Sequence, residues 1–246
     1  MSLLAIIGGT GLTSLDGLTI KEKRTVDTPF GQPSSELLVG EFQGHPVIFL
    51  PRHGQQHGIP PHKINYRANI WALKNQGVEN ILAVAAVGGI RDDMAPGVIA
   101  IPDQIIDYTY GREHSFFSDD FSSDKHIDFT YPYDENLRQQ LISAAQQQAI
   151  ACVKDGTYAA VQGPRLETAA EIRRLANDGC SMVGMTGMPE ASLARELELA
   201  YASCAVSANW AAGLSDSEIT MADIEQTVAN GMSKIKQLLT QLIPSL

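Results

Sequence analysis

Apolar residues gather in runs rich in Val, Ile and Ala at about 3–8, 46–51, 79–87, 97–106, 156–162 and 199–207, each bounded by Gly, Pro or Asp. Runs this short and this continuous predict buried strands, several of them covered on both faces. Between them the pattern turns helical over 66–76, 135–148, 168–177 and 188–198, and a last helix is predicted from about 221 to 242, stopping before Pro244. Thr168 and Glu171 have the spacing of a capping box, which gives the third helix a start with a mechanism. Strands alternating with helices predict an α/β fold, a sheet covered on both faces by helices. The stretch 110–134 breaks that rhythm with aromatics, Ser and Asp, and reads as a long functional loop or a subunit-contact segment. With no internal repeat or linker, residues 1–246 are expected to form a single domain.

Charge and cysteine usage narrow the class of partner. The formal net charge is −10 and no Lys/Arg run exceeds two residues, so neither nucleic acid nor an anionic membrane is an expected partner. A small anionic ligand would need a local basic site. Cys152, Cys180 and Cys204 are widely spaced, with no CxxC pair, and read as reduced core residues of a cytoplasmic protein. The N-terminal stretch meets glycine too soon for a signal peptide, and the apolar run 81–90 is far short of a bilayer crossing.

Chemistry-bearing residues recur at predicted strand ends, where ligands bind in open α/β sheets. Gly8-Gly9-Thr10-Gly11 follows the first strand, and its backbone N–H groups suit an anion, although a ligand-free tight turn explains the glycines equally. A dinucleotide fingerprint would need a glycine where the chain has Ser14. Pro51-Arg52-His53-Gly54-Gln55-Gln56-His57 packs a guanidinium, two imidazoles and an amide behind another strand. Arg52 offers a fork for phosphate oxygens and His53 a further donor, with a surface salt bridge as the plain alternative for Arg52. No carboxylate or cysteine stands near the histidines at ligand spacing, so no metal site is expected. Gly88-Gly89, Gly163-Pro164-Arg165-Leu166-Glu167, Met185-Thr186 with Pro189-Glu190, and Ser207-Ala208-Asn209 repeat the strand-end theme. Pro189 and Glu190 also suit a plain helix N-terminus, with Glu190 favoured by the dipole.

Taken in this order, and with Asn65-Tyr66-Arg67-Ala68-Asn69-Ile70-Trp71-Ala72-Leu73, these segments resemble the purine nucleoside phosphorylase and methylthioadenosine phosphorylase family from Gly8 to about Trp210. The resemblance implies a mixed β-sheet core flanked by helices and a homotrimer, with a dimer of trimers as the alternative, whose active sites lie near subunit contacts. It implies that Thr10, Arg52, His53, the backbone at Ala85 and Ala86, and Thr186 bind phosphate, although Ala85 replaces a hydroxyl common among relatives. Met185 would lie under the ribose, Leu166, Trp210 and Ala211 would line the nucleoside, and His57 and His126 would serve the ribose and 5′ side, His126 from a neighbouring subunit. Asn209 would stabilise the departing base. Inorganic phosphate is a co-substrate in such a reaction, and no cofactor or metal is needed.

Two positions bear on the base. Adenine-specific relatives carry Asp where this chain has Asn209 and a small hydroxyl residue where it has Glu167. An amide can donate to O6 and accept at N7, and a carboxylate can accept from N1–H, so both positions suit a 6-oxopurine and oppose adenine. At the 5′ end Leu214, Ile219 and Met221 give an apolar lining that suits a methylthio group, though core packing of the last helix accounts for them as well. The expected reaction is phosphorolysis of methylthioinosine to hypoxanthine and 5-methylthioribose 1-phosphate. General inosine or guanosine phosphorolysis is the alternative, ahead of methylthioadenosine phosphorolysis and of a non-catalytic nucleoside-binding protein.

Overall fold

The computed structural model describes residues 2–9, 17–215 and 220–246, with the side chain of Met221 excepted. In chain order its strands and helices are β1 (Leu4–Gly8), β2 (Leu18–Arg24), β3 (Leu37–Phe42), β4 (His45–Pro51), α1 (Tyr66–Asn75), β5 (Asn80–Gly89), β6 (Ile99–Ala100), β7 (Gln104–Asp107), α2 (Glu135–Gln147), β8 (Cys152–Val153), β9 (Thr157–Ala160), α3 (Ala169–Asn177), β10 (Cys180–Gly184), α4 (Gly187–Glu196), β11 (Ala200–Trp210) and α5 (Met221–Leu242). The expected strand at 97–106 is two short ones, because Pro102, which has no N–H to give a ladder, falls in its middle. The capping box is formed: the Thr168 hydroxyl accepts from Glu171 N at 3.1 Å, and the Glu171 carboxylate accepts from Thr168 N at 2.7 Å.

The sheet is mixed. Its main order is β2-β3-β4-β1-β5-β10-β9-β7, and β11 lies along β5 and carries β6 and β8 beyond it. Both faces are covered. Leu4 and Ile6 of β1 pack with Leu137 and Leu141 of α2 and Val228 and Ile235 of α5, while Ala5 and Ile7 face Ile70 and Leu73 of α1 and Ala191 and Ala194 of α4. This period-two division of a continuously apolar strand is what a sheet between two helical layers requires. The segment 110–134 holds one short 3₁₀ turn and is otherwise irregular, with Tyr110, Phe121 and Tyr131 exposed. Cys152, Cys180 and Cys204 are free thiols, and no described helix is long and apolar enough to cross a membrane.

Strands β1, β4, β5 and β11 run parallel, so their carboxyl ends gather at one edge. On one side of β5 the pairing changes partner: β1 covers Asn80 to Ala83, and antiparallel β10 covers Gly88 and Gly89. Between them the sheet is split at 84–87, and the ends of β4, β10 and β11 converge on the split.

Candidate active site

A cavity of about 290 Å³ opens at this split. It is lined by Gly9, Arg52, His53, Ala85, Ala86, Glu167, Met185, Thr186 and Asn209, among others, and so joins the strand-end clusters that lie far apart in sequence.

The anion end is built around Arg52, which is 1% exposed. Its Nε and Nη2 each donate to the Glu190 carboxylate at 2.8 Å, and Nη1 donates to the Val84 carbonyl at 2.9 Å. Tyr201 Oη also donates to Glu190, at 2.9 Å. Burial works against the charge on Arg52, but the adjacent carboxylate more than offsets it and holds the guanidinium above its ordinary range. Three of the five N–H groups are thus engaged among the described residues, leaving two for an anion. Because the Val84 carbonyl faces the split, strand alternation turns the Ala86 N–H the same way. Gly9 closes over the guanidinium: a Cβ there would lie 2.8 Å from both Arg52 Nη1 and the Val84 oxygen. Thr10, the expected hydroxyl donor, lies outside the described residues.

His53 is a neutral ring. Its Nδ1–H donates to the Ile59 carbonyl at 2.8 Å, since a carbonyl can only accept. Burial, with the charge of Arg52 behind it, pushes the imidazole down to about 4. The Nε2 atom therefore presents a lone pair rather than the proton expected of it, and suits a protonated phosphate oxygen.

At the base end, a bulge between Ser207 and Asn209 re-aims β11 and brings Asn209 to the cavity. Its Nδ2 donates to the Trp210 carbonyl at 2.6 Å, which among the described residues leaves the amide oxygen and a second N–H for a ligand. Trp210, expected among the nucleoside-lining residues, is not one of the residues that line this cavity. It follows Asn209 along the strand, and its carbonyl accepts the Asn209 hydrogen bond. Glu167 is half-buried, and burial raises its carboxyl above the usual range. The neighbouring Arg165 is given to Glu171 at 2.7 and 2.8 Å. Leu166 and Ala211 complete this wall. Gly163, at a φ of 61°, lets the wall approach Met185, whose Sδ would lie 2.5 Å from a Cβ at that glycine.

Several expected residues stand elsewhere. His57 is exposed, with its ring centroid 4.5 Å from that of His53, and does not line the cavity. His126 is exposed against Phe121, outside its own chain's cavity. The Met221 side chain and Ile219 lie outside the described residues, and Leu214 is exposed. In their place Ile224, one helical turn along α5 from Met221, lines the apolar end. Glu190 is not a solvated carboxylate at a helix N-terminus: it is fully buried as the counter-ion of Arg52.

The model of the phosphorylase superfamily matches residues 3–244. A protein of Pseudomonas syringae pv. tomato named probable S-methyl-5′-thioinosine phosphorylase is 55% identical over 243 residues, 99% of each chain. One of Thermococcus kodakarensis named probable 6-oxopurine nucleoside phosphorylase is 45% identical over 99% of this chain and 92% of its own. Methylthioadenosine phosphorylase from Schistosoma mansoni, solved in complex with adenine, superposes with a TM-score of 0.94 at 32% identity, covering 100% of this chain and 92% of that one.

Proposed function

Because the chain belongs to the phosphorylase superfamily, we propose that it is a phosphate-dependent purine nucleoside phosphorylase, a pentosyltransferase, whose substrate is S-methyl-5′-thioinosine. A phosphate oxygen bonds to C1′ as the C1′–N9 bond breaks. The electron pair leaves with the purine, which takes up at N7, through water, the proton that the attacking hydrogen phosphate gives up, so that the products are hypoxanthine and 5-methylthioribose 1-phosphate, a salvage step for the base. Arg52, His53, the Ala86 N–H, Thr10 and Thr186 hold the phosphate beneath the sugar, so much of the catalysis is positioning and electrostatics. Met185 supports the ribose. Asn209 donates to O6, where charge develops on the base, and accepts from N7–H once N7 has taken up its proton, while Glu167 accepts from N1–H. Since Arg52 is neutralised by Glu190, the attraction for phosphate comes from directed N–H groups more than from net charge.

The observation that carries this reading is that Asn209 and Glu167, distant in sequence, line one cavity that Arg52 also lines. Both suit a 6-oxopurine, and a buried polar mismatch discriminates by roughly 10⁴-fold. The relative in Thermococcus kodakarensis supports a second reading, general 6-oxopurine phosphorolysis, which differs only at the 5′ end. There Ile224 and Ala212 favour the methylthio group, because a hydroxyl would lose water without a partner.

The same reading takes residues 1–246 as one catalytic unit that needs no cofactor beyond its phosphate co-substrate. It also makes the protein a cytoplasmic homotrimer, a reading supported by the free thiols and by the exposed Tyr110, Phe121 and Tyr131. His126 then reaches the 5′ side of a neighbouring subunit's site. Release of free base from methylthioinosine, inosine, guanosine and methylthioadenosine at one phosphate concentration tests the function. Phosphate-dependent turnover with methylthioinosine ahead is expected, and base release independent of phosphate would refute it.

A further inference from the structure

Arg112, in the irregular segment after β7, donates to six acceptors among the described residues, none of them a carboxylate. Nη1 reaches the carbonyls of Met185 at 2.9 Å and Met188 at 2.6 Å and the Tyr66 hydroxyl at 3.2 Å. Nη2 reaches the carbonyls of Val161 at 3.2 Å and Gln162 at 2.9 Å, and Nε the Gln162 side-chain oxygen at 3.1 Å. The guanidinium also lies 5.4 Å from the centroid of the Tyr66 ring. A cation spent wholly on neutral groups, most of them main-chain carbonyls of two loops, joins those loops rather than balancing charge.

The loops are the two halves of the site. Val161 and Gln162 lead through Gly163 to Leu166 and Glu167 at the base wall. Met185 and Met188 bracket Thr186 and precede Glu190, which holds Arg52. The peptide between Met185 and Thr186 is gripped at both ends, its carbonyl by Arg112 and its N–H by Tyr158 Oη at 3.4 Å. Since a peptide is planar, these two bonds orient the whole unit and with it the Met185 and Thr186 side chains.

We propose that Arg112 is a positioning residue that sets the spacing between the base wall and the ribose–phosphate loop, holding C1′ in line with the attacking phosphate. This rests on the phosphorolysis reading above. Arg112 is not among the residues lining the cavity, so its loss misaligns the reactants rather than removing a contact to either. A misplacement of about 1 Å costs on the order of 10²-fold in rate.

The test compares wild type with Arg112→Ala, Arg112→Lys and Tyr158→Phe on methylthioinosine and phosphate, together with the Kd of hypoxanthine alone and of phosphate alone. Arg112→Ala is expected to lose roughly 10²-fold in kcat while KM and both Kd values stay within about threefold. Added guanidinium chloride should restore much of that kcat. Arg112→Lys should recover only part, because an ammonium has three donors and no fork to span two loops. Tyr158→Phe should lower kcat with the same unchanged Kd values and no response to guanidinium. An unchanged kcat, or a loss confined to KM or Kd, overturns the proposal, as does failure of guanidinium to act on a folded Arg112→Ala. Should Arg112→Ala not fold, wild-type kcat in both other variants overturns it as well. Absence of phosphorolysis in the wild type itself would instead overturn the underlying reading of function.

Discussion

The Arg52 guanidinium and the Glu190 carboxylate, 138 positions apart in sequence, meet in two parallel hydrogen bonds of 2.8 Å at the floor of the cavity. Arg52 therefore serves as both an anion donor and a buried structural ion. Removing one partner of such a pair strands the other charge and costs about 3–5 kcal/mol. Arg52→Ala is expected to lose phosphate binding and a large part of the folding stability together, and Glu190→Gln to lose less of each. Urea unfolding with phosphate titration checks this: an Arg52→Ala protein of wild-type stability would contradict the pairing.

Acid should act through two groups that are shifted in opposite directions, on stability through His53 and on turnover through Glu167. His53 titrates at about 4 in the folded chain against roughly 6.5 when unfolded. Its contribution to stability is then fully present above about pH 6.5 and is lost as pH falls toward 4. In His53→Asn, whose amide can keep the bond to Ile59, urea midpoints should depend less steeply on pH across that window. An identical slope would count against a neutral His53.

Glu167 must be ionised to accept from N1–H, and burial raises its carboxyl. The acid limb of kcat/KM on 6-oxopurine nucleosides should accordingly lie above the ordinary carboxylate range. Glu167→Gln should abolish that limb, whereas an unchanged profile would place the titration elsewhere.

Apolar lining at the 5′ end gives a direct test of the sugar. Ile224→Thr should reduce kcat/KM for methylthioinosine about tenfold and for inosine much less, since only the former sets a methylthio group against that side chain. Equal losses would indicate that Ile224 serves packing of α5 alone.

Much of this was legible in sequence because it rests on local signals. Continuous apolar runs marked β1, β4, β5, β9 and β11, clusters at or just past the ends of β4, β9 and β11 marked Arg52, Glu167 and Asn209, and the Met-Thr pair before Pro189-Glu190 marked Met185. Strand β2, Leu-Thr-Ile-Lys-Glu-Lys-Arg, escaped because most of it is exposed and charged, and β10, Cys-Ser-Met-Val-Gly, because Ser181 interrupts it and it makes no continuous apolar run. The Arg52–Glu190 pair was hidden for a different reason: a carboxylate shows no sign in sequence of being desolvated by a distant strand. Arg112 was overlooked because one arginine among Gly, Glu and His reads as a solvated loop charge, and only the fold reveals its six acceptors.

Base preference rests on Asn209 and Glu167 acting together. Asn209→Asp alone should suppress methylthioinosine turnover, because a carboxylate facing O6 is repulsive, while raising methylthioadenosine turnover only modestly with Glu167 still opposing N1. Adding Glu167→Ser should then raise methylthioadenosine turnover beyond what the two single changes give, the coupling expected of groups that grip one ligand. The measurement is kcat/KM for both nucleosides across wild type, the two single variants and the double variant. A wild type that prefers methylthioinosine and a double variant whose preference is reversed or nearly so is the predicted result; a wild type that prefers methylthioadenosine, or a double variant with the wild-type ratio, would contradict it.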